Sequence, residues 1–298
     1  MSGEESWNEA TAGILSRYPS SSEAVVRGMS EREYADWLGR TGHKVLECEG
    51  RFWEEILPGF YEVLPYLARL STDEARRPTR FAWGYRATLE DGARHAANGF
   101  MPVHLIRDLR NYGLHMVRPE HRRLLRRCLE RTAVIQLTDA SVLRSQGYAV
   151  YRSYATRLRV HRPLSASEYL SMVDNWFEDD RRLVLAAFAE DQLLGYADSF
   201  AVGPTAYLPQ LHVSSSALRT NVTSALYCET LEAHRRSETA TEACSGLHRP
   251  ENQGLVAFKK AMGFEIVKVP ILFHVPTVVT GYLKRRRPET YYRFTGCS

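Results

Sequence analysis

The stretch NQGLVAFKKAMGFE, residues Asn252 to Glu265, decides how the C-terminal half of the chain is interpreted. Its apolar residues recur at the spacing of one buried helix face, and a Gly-Phe pair ends the pattern. Lys259 and Lys260 stand beside that face. The pattern predicts a short helix with positive charge next to its buried side. Two interpretations are open: the lysines are the wet side of a surface helix, or one of them has a chemical task.

Length and composition predict a globular protein with one large domain or two of ordinary size. The chain has 298 residues, 44% of them hydrophobic, and a formal net charge of +4. The first thirty residues contain no leader-like apolar segment, and the longest apolar run, VPILFHVPTVV, is short and broken by proline. No membrane partner is expected, and the cytoplasm is the simplest compartment.

The cysteines are odd in number and scattered, without any C-x-x-C pair. They are Cys48, Cys128, Cys228, Cys244 and Cys297. This usage predicts neither a zinc site nor a disulfide framework, so no metal is expected.

Positive charge is concentrated in two arginine-rich runs, RRLLRRCLER (Arg122 to Arg131) and LKRRRPE (Leu283 to Glu289). The first has the period of an amphipathic helix whose arginines are solvated. The alternative is a surface that faces phosphate or RNA.

Local signals predict a helix-rich first half and a more regular second half. Ser30-x-x-Glu33 and Ser165-x-x-Glu168 are capping boxes that open helices. HLIRDLRNYG and PEHRRLLRRCLER are predicted as further helices, followed by a strand AVIQL. RLVLAAFA, QLLGYADSFAV and TAYLPQLHV are predicted as three strands joined by tight turns. A helix from Asn221, a strand TEACSGL, the helix of the opening stretch and a strand EIVKVPILF follow.

This order of elements resembles the second half of the GNAT acyltransferase superfamily. Asn252 and the pair Gly263-Phe264 fall in the register that GNAT proteins show, with Lys259 in place of their usual tyrosine. The segment GLVAFK, ending at Lys259, also resembles the Gly-Leu-x-x-Phe-Lys of the Fem family of aminoacyl-transferases, which look like two GNAT domains in one chain. HRRLLRRCLERTAVIQL is similar to the end of the first Fem-type domain.

The resemblance implies an α+β fold of two GNAT-like domains. Each has a mixed, mostly antiparallel twisted sheet flanked by helices. Residues 1–145 are expected to form a divergent, helix-rich first domain, and residues 146–298 the acyltransferase-like domain.

The resemblance also implies where the chemistry lies. Acyl transfer to an amine needs a neutral amine, a polarised carbonyl and a stabilised leaving group. Lys259 is placed to serve the leaving group, as an acid or as a fixed charge, and Asn252 and Phe258 to serve the acceptor side. His212, at the end of TAYLPQLHV, is a candidate base, with a structural histidine as the alternative.

The donor is expected at the turn before the helix at Asn221. GNAT proteins carry a glycine-containing turn there, whose N–H groups hold the pyrophosphate of acyl-CoA at a helix N-terminus. The matching residues here contain no glycine. The residues expected to bind the donor are Arg219, Asn221, Val222, Thr223 and Ser224. Asn tolerates positive φ, so the turn is expected to survive, whereas Thr223 adds bulk where phosphate approaches.

The leading hypothesis is an N-acyltransferase that joins an activated acyl group, from acyl-CoA by superfamily precedent, to the primary amine of a small molecule or peptide. The first alternative is a Fem-like enzyme that uses aminoacyl-tRNA, with tRNA as a partner. The second is a non-catalytic GNAT-like binding module. Sequence leaves the acceptor unidentified.

Overall fold

The computed structural model describes residue 13 and residues 15–296, except for the side chain of Arg293. The protein is α+β, with mostly antiparallel sheet flanked by helices. The strands are β1 (Gly28–Met29), β2 (Val45–Cys48), β3 (Arg51–Leu57), β4 (Phe60–Leu64), β5 (Gly84–Thr88), β6 (Gly99–Ile106), β7 (Ala133–Leu137), β8 (Leu183–Ala189), β9 (Gln192–Val202), β10 (Thr205–Val213), β11 (Glu242–Leu247) and β12 (Glu265–His274). The α-helices are α1 (Glu31–Arg40), α2 (Pro119–Leu129), α3 (Tyr148–Arg157), α4 (Ala166–Trp176), α5 (Val222–Ser237), α6 (Gln253–Ala261), α7 (Thr277–Arg286) and α8 (Pro288–Thr295).

The chain forms two compact units, each built from separate segments. Unit 1 contains the described residues up to Gly28, together with Ile106–Cys244 and Lys260–Gly263. Unit 2 contains Met29–Leu105, Ser245–Lys259 and the described residues from Phe264 onward. Strand β7, from the first half of the sequence, pairs with β8, and β12, from the second half, pairs with β5 and β6. The predicted boundary between residues 145 and 146 separates sequence halves rather than these units, and it stays a prediction.

The sheet of unit 1 has the strand order β11-β10-β9-β8-β7. The predicted meander is confirmed, because β8, β9 and β10 pair antiparallel in succession. The parallel ladder between β10 and β11 covers Thr205 to Tyr207 opposite Glu242 to Cys244. Between Tyr207 and Gln210 the register of β10 against β9 shifts, as at a β-bulge. From Gln210 to Val213, β10 is held in the sheet by its antiparallel pairing with β9.

The core of unit 1 is filled by large side chains from α3, α4 and the meander. Tyr169, Trp176, Phe188 and Tyr196 are buried in one cluster. Burial of such side chains stabilises the fold by about 1.5–3 kcal/mol each, so the meander and its helices hold the strand that carries His212.

The sheet of unit 2 has the order β2-β3-β4-β5-β12-β6. Pairing is antiparallel except between β4 and β5. Strand β12 lies between β5 and β6, with Glu265 opposite Leu105 and Ile271 opposite both Gly99 and Thr88. Val267 and the run from Val269 to Ile271 are buried, whereas Glu265, Lys268 and His274 are exposed.

The prediction of a helix over HLIRDLRNYG was wrong. Its first three residues, His104 to Ile106, end strand β6, which is buried along most of its length. The exposed Arg107 and Asp108 follow the strand. A short apolar run does not distinguish a buried strand from a helix by period, and here pairing with β12 decides the outcome.

The predicted helix starts are confirmed. Ser30 and Glu33 at α1, and Ser165 and Glu168 at α4, form reciprocal capping boxes. The arginine-rich run forms α2, with Leu125 and Cys128 buried.

The described part of the chain contains no helix long and apolar enough to cross a membrane. Among its cysteines, Cys48, Cys128, Cys228 and Cys244 form no disulfide, and Cys297 lies outside the described residues.

Candidate active site

Lys259 is the predicted site residue with the most unusual surroundings. Its side chain is buried, with 5% exposure, whereas the neighbouring Lys260 is exposed. The Nζ atom of Lys259 donates a hydrogen bond to the carbonyl oxygen of Ser245 on β11. Ser245 directly follows Cys244, the last β11 residue that pairs with β10. Since a buried ammonium is costly unless hydrogen-bonded, this lysine is held by a specific backbone acceptor rather than by solvent.

The ends of α6 fix the orientation of Lys259. At the start, the Asn252 Oδ1 accepts a hydrogen bond of 3.1 Å from the backbone N–H of Leu255. At the end, Gly263 has φ of +94°, and the N–H of Phe264 donates to the carbonyl of Lys259 over 3.0 Å. A side chain at Gly263 would be strained by this left-handed backbone, so the predicted Gly-Phe stop is confirmed.

The surroundings of Asn252 and Phe258 do not assign either residue a chemical role. Asn252 is exposed, and its side-chain oxygen is used as the cap of α6. Phe258 is half-buried and directly precedes Lys259 in α6. Their roles toward an acceptor stay predictions.

His212 lies in unit 1 within a cage of aromatic rings. Its ring centroid is 4.6 Å from that of Tyr154, 5.0 Å from Tyr196 and 5.5 Å from Tyr151. The Nε2 atom lies 2.9 Å from Gln210 Oε1, which can only accept, so Nε2 carries the hydrogen. Burial lowers the pKa of His212 to about 4. These surroundings favour the structural alternative over a base, and the catalytic role stays a prediction.

The predicted donor turn has the backbone that its sequence allows. Asn221 adopts φ of +65° and ψ of 21°, the left-handed conformation that Asn tolerates, and α5 begins at the next residue. The Ser224 N–H donates to the Asn221 carbonyl over 2.9 Å, so this predicted phosphate donor is already engaged. Val222 is buried, Thr223 is half-buried and Arg219 is exposed. First-turn amides of a helix lack intrahelical acceptors, which leaves Val222 and Thr223 as the backbone donors toward a ligand.

Unit 2 has a cavity of about 520 Å³ that is lined in part by the loop between β11 and α6. This volume falls in the range of small-molecule sites. The lining residues are Pro250, Glu251, Lys284, Pro288, Glu289, Tyr291 and Tyr292. Within the same unit, His248 and His104 are both buried and in contact. Sequence analysis missed this pair because His104 was assigned to a helix; its place inside the apolar run GFMPVHLI was the available signal of a buried strand.

No group of three or more His, Cys, Asp or Glu side chains in the described residues is arranged to hold a metal ion.

Comparison with known proteins assigns the class of fold. No family model matches the chain, and no curated protein matches it. Solved structures do match over nearly the whole length, and they show that the chain has a GNAT/Fem-like fold, as the sequence predicts.

Three solved structures are similar to this chain. FemX is 12% identical with a TM-score of 0.60, covering 93% of this chain and 98% of its own. The C-terminal domain of a protein assigned as a lysylphosphatidylglycerol synthetase, from Agrobacterium fabrum, is 13% identical with a TM-score of 0.58, covering 99% and 98%. L-PGS from Bacillus licheniformis is 10% identical with a TM-score of 0.54, covering 96% of each chain. At these identities the likeness establishes the fold.

Proposed function

We propose that the protein is an N-acyltransferase that transfers an acyl group from an activated donor to a primary amine by direct attack. The observation that carries this proposal is the buried Lys259, whose Nζ donates to the Ser245 carbonyl. The proposal is supported by a fold shared over 93–99% of the chain with FemX, with L-PGS and with the C-terminal domain of a protein assigned as a lysylphosphatidylglycerol synthetase.

Lys259 acts on the leaving group in this proposal. An ammonium group has three N–H donors, so Lys259 can hydrogen-bond to more than one acceptor. When the bond between the carbonyl carbon and the leaving atom breaks, the ammonium offsets the developing negative charge or donates a proton. Such a role is worth about 10²–10⁴ in rate.

Acyl-CoA is one donor, and aminoacyl-tRNA is a second that a specific observation favours. Helix α2 and the residues that flank it include exposed arginines that form no ion pair with any described residue. These are Arg118, Arg123, Arg126, Arg127 and Arg131. Some other exposed arginines of unit 1 are paired, as Arg144 is with Asp174 and Arg162 with Glu168, whereas others such as Arg152 form no ion pair with a described residue. A row of arginines without carboxylate partners suits a polyanion.

The test is a transfer assay with both donors and a generic acceptor. Hydroxylamine is used as the acceptor, because it traps activated acyl groups as hydroxamates, with radiolabelled acetyl-CoA in one series and bulk aminoacyl-tRNA in the other. The proposal expects enzyme-dependent hydroxamate from one donor. Absence of product from both donors would contradict it.

Salt separates the two donors. Binding of an RNA donor should weaken steeply with added salt, because many phosphate counterions are released on binding, whereas binding of a small donor shows a shallow slope. If tRNA binds but nothing is transferred, the result favours the remaining alternative, a non-catalytic binding module.

A further inference from the structure

Two buried histidines of unit 2 meet side chain to side chain. His104 is 1% exposed and His248 is 8% exposed. The Nδ1 of His248 lies 3.4 Å from the Nε2 of His104, and the ring centroids are 5.2 Å apart with an interplanar angle of 71°. This separation is long for a hydrogen bond, as is common for catalytic groups before substrate binds.

The backbone places this contact through two separate devices. His104 is fixed in β6 by its register opposite Ile266 of β12. His248 follows β11, where Gly246 adopts φ of +73° and turns the chain. The N–H of His248 then donates to the carbonyl of Pro102 over 2.8 Å. His104 is therefore held within the sheet, and His248, the first residue of the loop after β11, is held by its backbone hydrogen bond to β6.

The pair lies beside both the lysine site and the cavity. His248 is three residues after Ser245, which accepts from Lys259, and three residues span at most about 10–11 Å of chain. On another side, the ring of His248 lies 6.5 Å from that of Tyr292, which lines the cavity. The charged groups of that cavity are Glu251, Lys284 and Glu289.

We propose that His248 is the general base that takes a proton from the acceptor amine, and that His104 is its positioning residue. This inference rests on the proposed acyltransferase function. In this assignment the His248 Nδ1–H donates to His104 Nε2, so Nε2 is the basic nitrogen of His248. Once His248 is protonated, the same hydrogen bond steadies the imidazolium, as the third member of a catalytic triad steadies its histidine.

The proton balance is simple. The acceptor arrives as an ammonium ion, and His248 Nε2 takes one proton, so that the amine lone pair can attack the acyl carbon. The new N–C bond forms, and the bond to the leaving oxygen or sulfur breaks with its electron pair. The second proton of the attacking nitrogen passes to that leaving atom, beside Lys259. Release of the first proton to solvent restores His248.

The experiment compares two acceptors across pH with donor at saturation. Ethanolamine is an ammonium ion at neutral pH, whereas hydroxylamine is largely neutral and needs no prior deprotonation. His248→Gln keeps a hydrogen-bonding side chain but cannot take a proton. It should lower kcat/KM for ethanolamine about 100-fold or more near neutral pH and abolish the acid limb that His248 sets, so that the pH profile follows ionisation of the amine itself. With hydroxylamine, the same variant should stay within about threefold of wild type.

The positioning role and the controls have their own variants. His104→Asn should lower the ethanolamine rate about tenfold and shift the acid limb rather than abolish it. His95→Gln, which changes an exposed histidine of the same unit, should leave both acceptors unaffected. A histidine NMR titration of the wild type should show that His104 and His248 titrate as a coupled pair, with His104→Asn shifting the signal of His248.

The outcomes separate failure of the base assignment from failure of the proposed acyltransferase function. If wild type transfers to neither acceptor, the acyltransferase proposal itself fails. If wild type transfers and His248→Gln loses both acceptors equally, or keeps the wild-type pH profile with ethanolamine, the base assignment is overturned while the function stands. Independent titration of the two histidines would also overturn it.

Discussion

His212 illustrates how burial at a single residue sets the response of the fold to acid. Its folded pKa of about 4 lies below the ordinary value of 6.5, because burial disfavours the charged ring. The unfolded chain therefore binds the proton more readily than the folded one. Stability from this residue is fully present above about pH 6.5 and is lost as the pH falls toward 4.

We expect His212→Gln to reduce the acid sensitivity of unit 1. Between pH 7 and pH 5 the wild type should lose about 2 kcal/mol of unfolding free energy through this histidine, and the variant should lose about that much less. Urea unfolding at the two pH values measures the difference. His95→Gln is the control, since that side chain is exposed. Equal losses in wild type and His212→Gln would show that this imidazole is not the source of the acid sensitivity.

Single residues were predictable from the sequence where a local pattern defined them. Lys259 stood out through the Phe-Lys and Gly-Phe register, and Asn221 through its tolerance of positive φ, which the structure shows. His248 carried no local pattern. Its contact with His104 joins positions that are 144 residues apart, and only the sheet brings them together.

At the scale of elements, the C-terminal end of α5 is held in an unfavourable conformation. Glu238 has φ of +54° and ψ of 17° and is exposed. A non-glycine residue in this region costs about 1–2 kcal/mol, part of which a glycine would regain after its own entropy cost.

We therefore expect Glu238→Gly to stabilise unit 1 by about 0.5–1 kcal/mol. Chemical denaturation, followed at constant pH, measures this gain. Glu238→Ala removes the same carboxylate but keeps a Cβ, so it should show no comparable gain. A stabilisation of equal size in both variants would assign the effect to charge rather than to backbone conformation.

Helix α2 carries like charges close together on one face, and this repulsion lowers the stability of the helix. Arg123 and Arg127 are four residues apart on α2, and such a like-charge pair destabilises a helix by about 0.2–0.5 kcal/mol. Arg127→Glu replaces this repulsive pair with an attractive one, but it also places an anion in the last turn of the helix, where the macrodipole favours a cation. We expect little change in thermal stability, together with weaker binding of tRNA and a shallower salt dependence of that binding.

The matched control for this helix is Arg144→Glu, which removes an arginine already paired with Asp174. It should lower stability slightly and leave tRNA binding near wild type. Measurement of tRNA affinity at several salt concentrations, alongside melting curves, checks both parts. Unchanged tRNA affinity in Arg127→Glu would contradict the assignment of α2 as a phosphate-facing surface.

At the scale of the whole molecule, the order of elements was more predictable than their partners. Turn residues and alternating strands predicted the meander, and capping boxes predicted α1 and α4. The pairing of β12 with β5 and β6, and of β7 with β8, links residues far apart in sequence. Local propensity does not depend on such long-range pairings, and for this reason HLIRDLRNYG was predicted as a helix.

The candidate site also has a part that the sequence predicted and a part that only the structure shows. The sequence placed Lys259 on a helix that ends at Gly263, and the structure adds that its ammonium is buried against the Ser245 carbonyl. That burial could not be read from spacing, because two adjacent lysines differ only in the direction that each faces. The proposed chemistry depends on this difference between Lys259 and Lys260.

The most direct measurement compares Lys259→Met with Lys260→Met in the hydroxamate assay at saturating donor. Lys259→Met should lower turnover about 100-fold or more and destabilise the fold by about 1–3 kcal/mol, because the Ser245 carbonyl loses its donor. Melting curves ensure that each variant is folded at the assay temperature. Lys260→Met should match wild type in both respects. Wild-type turnover in a folded Lys259→Met variant would contradict the proposed role of this lysine in catalysis.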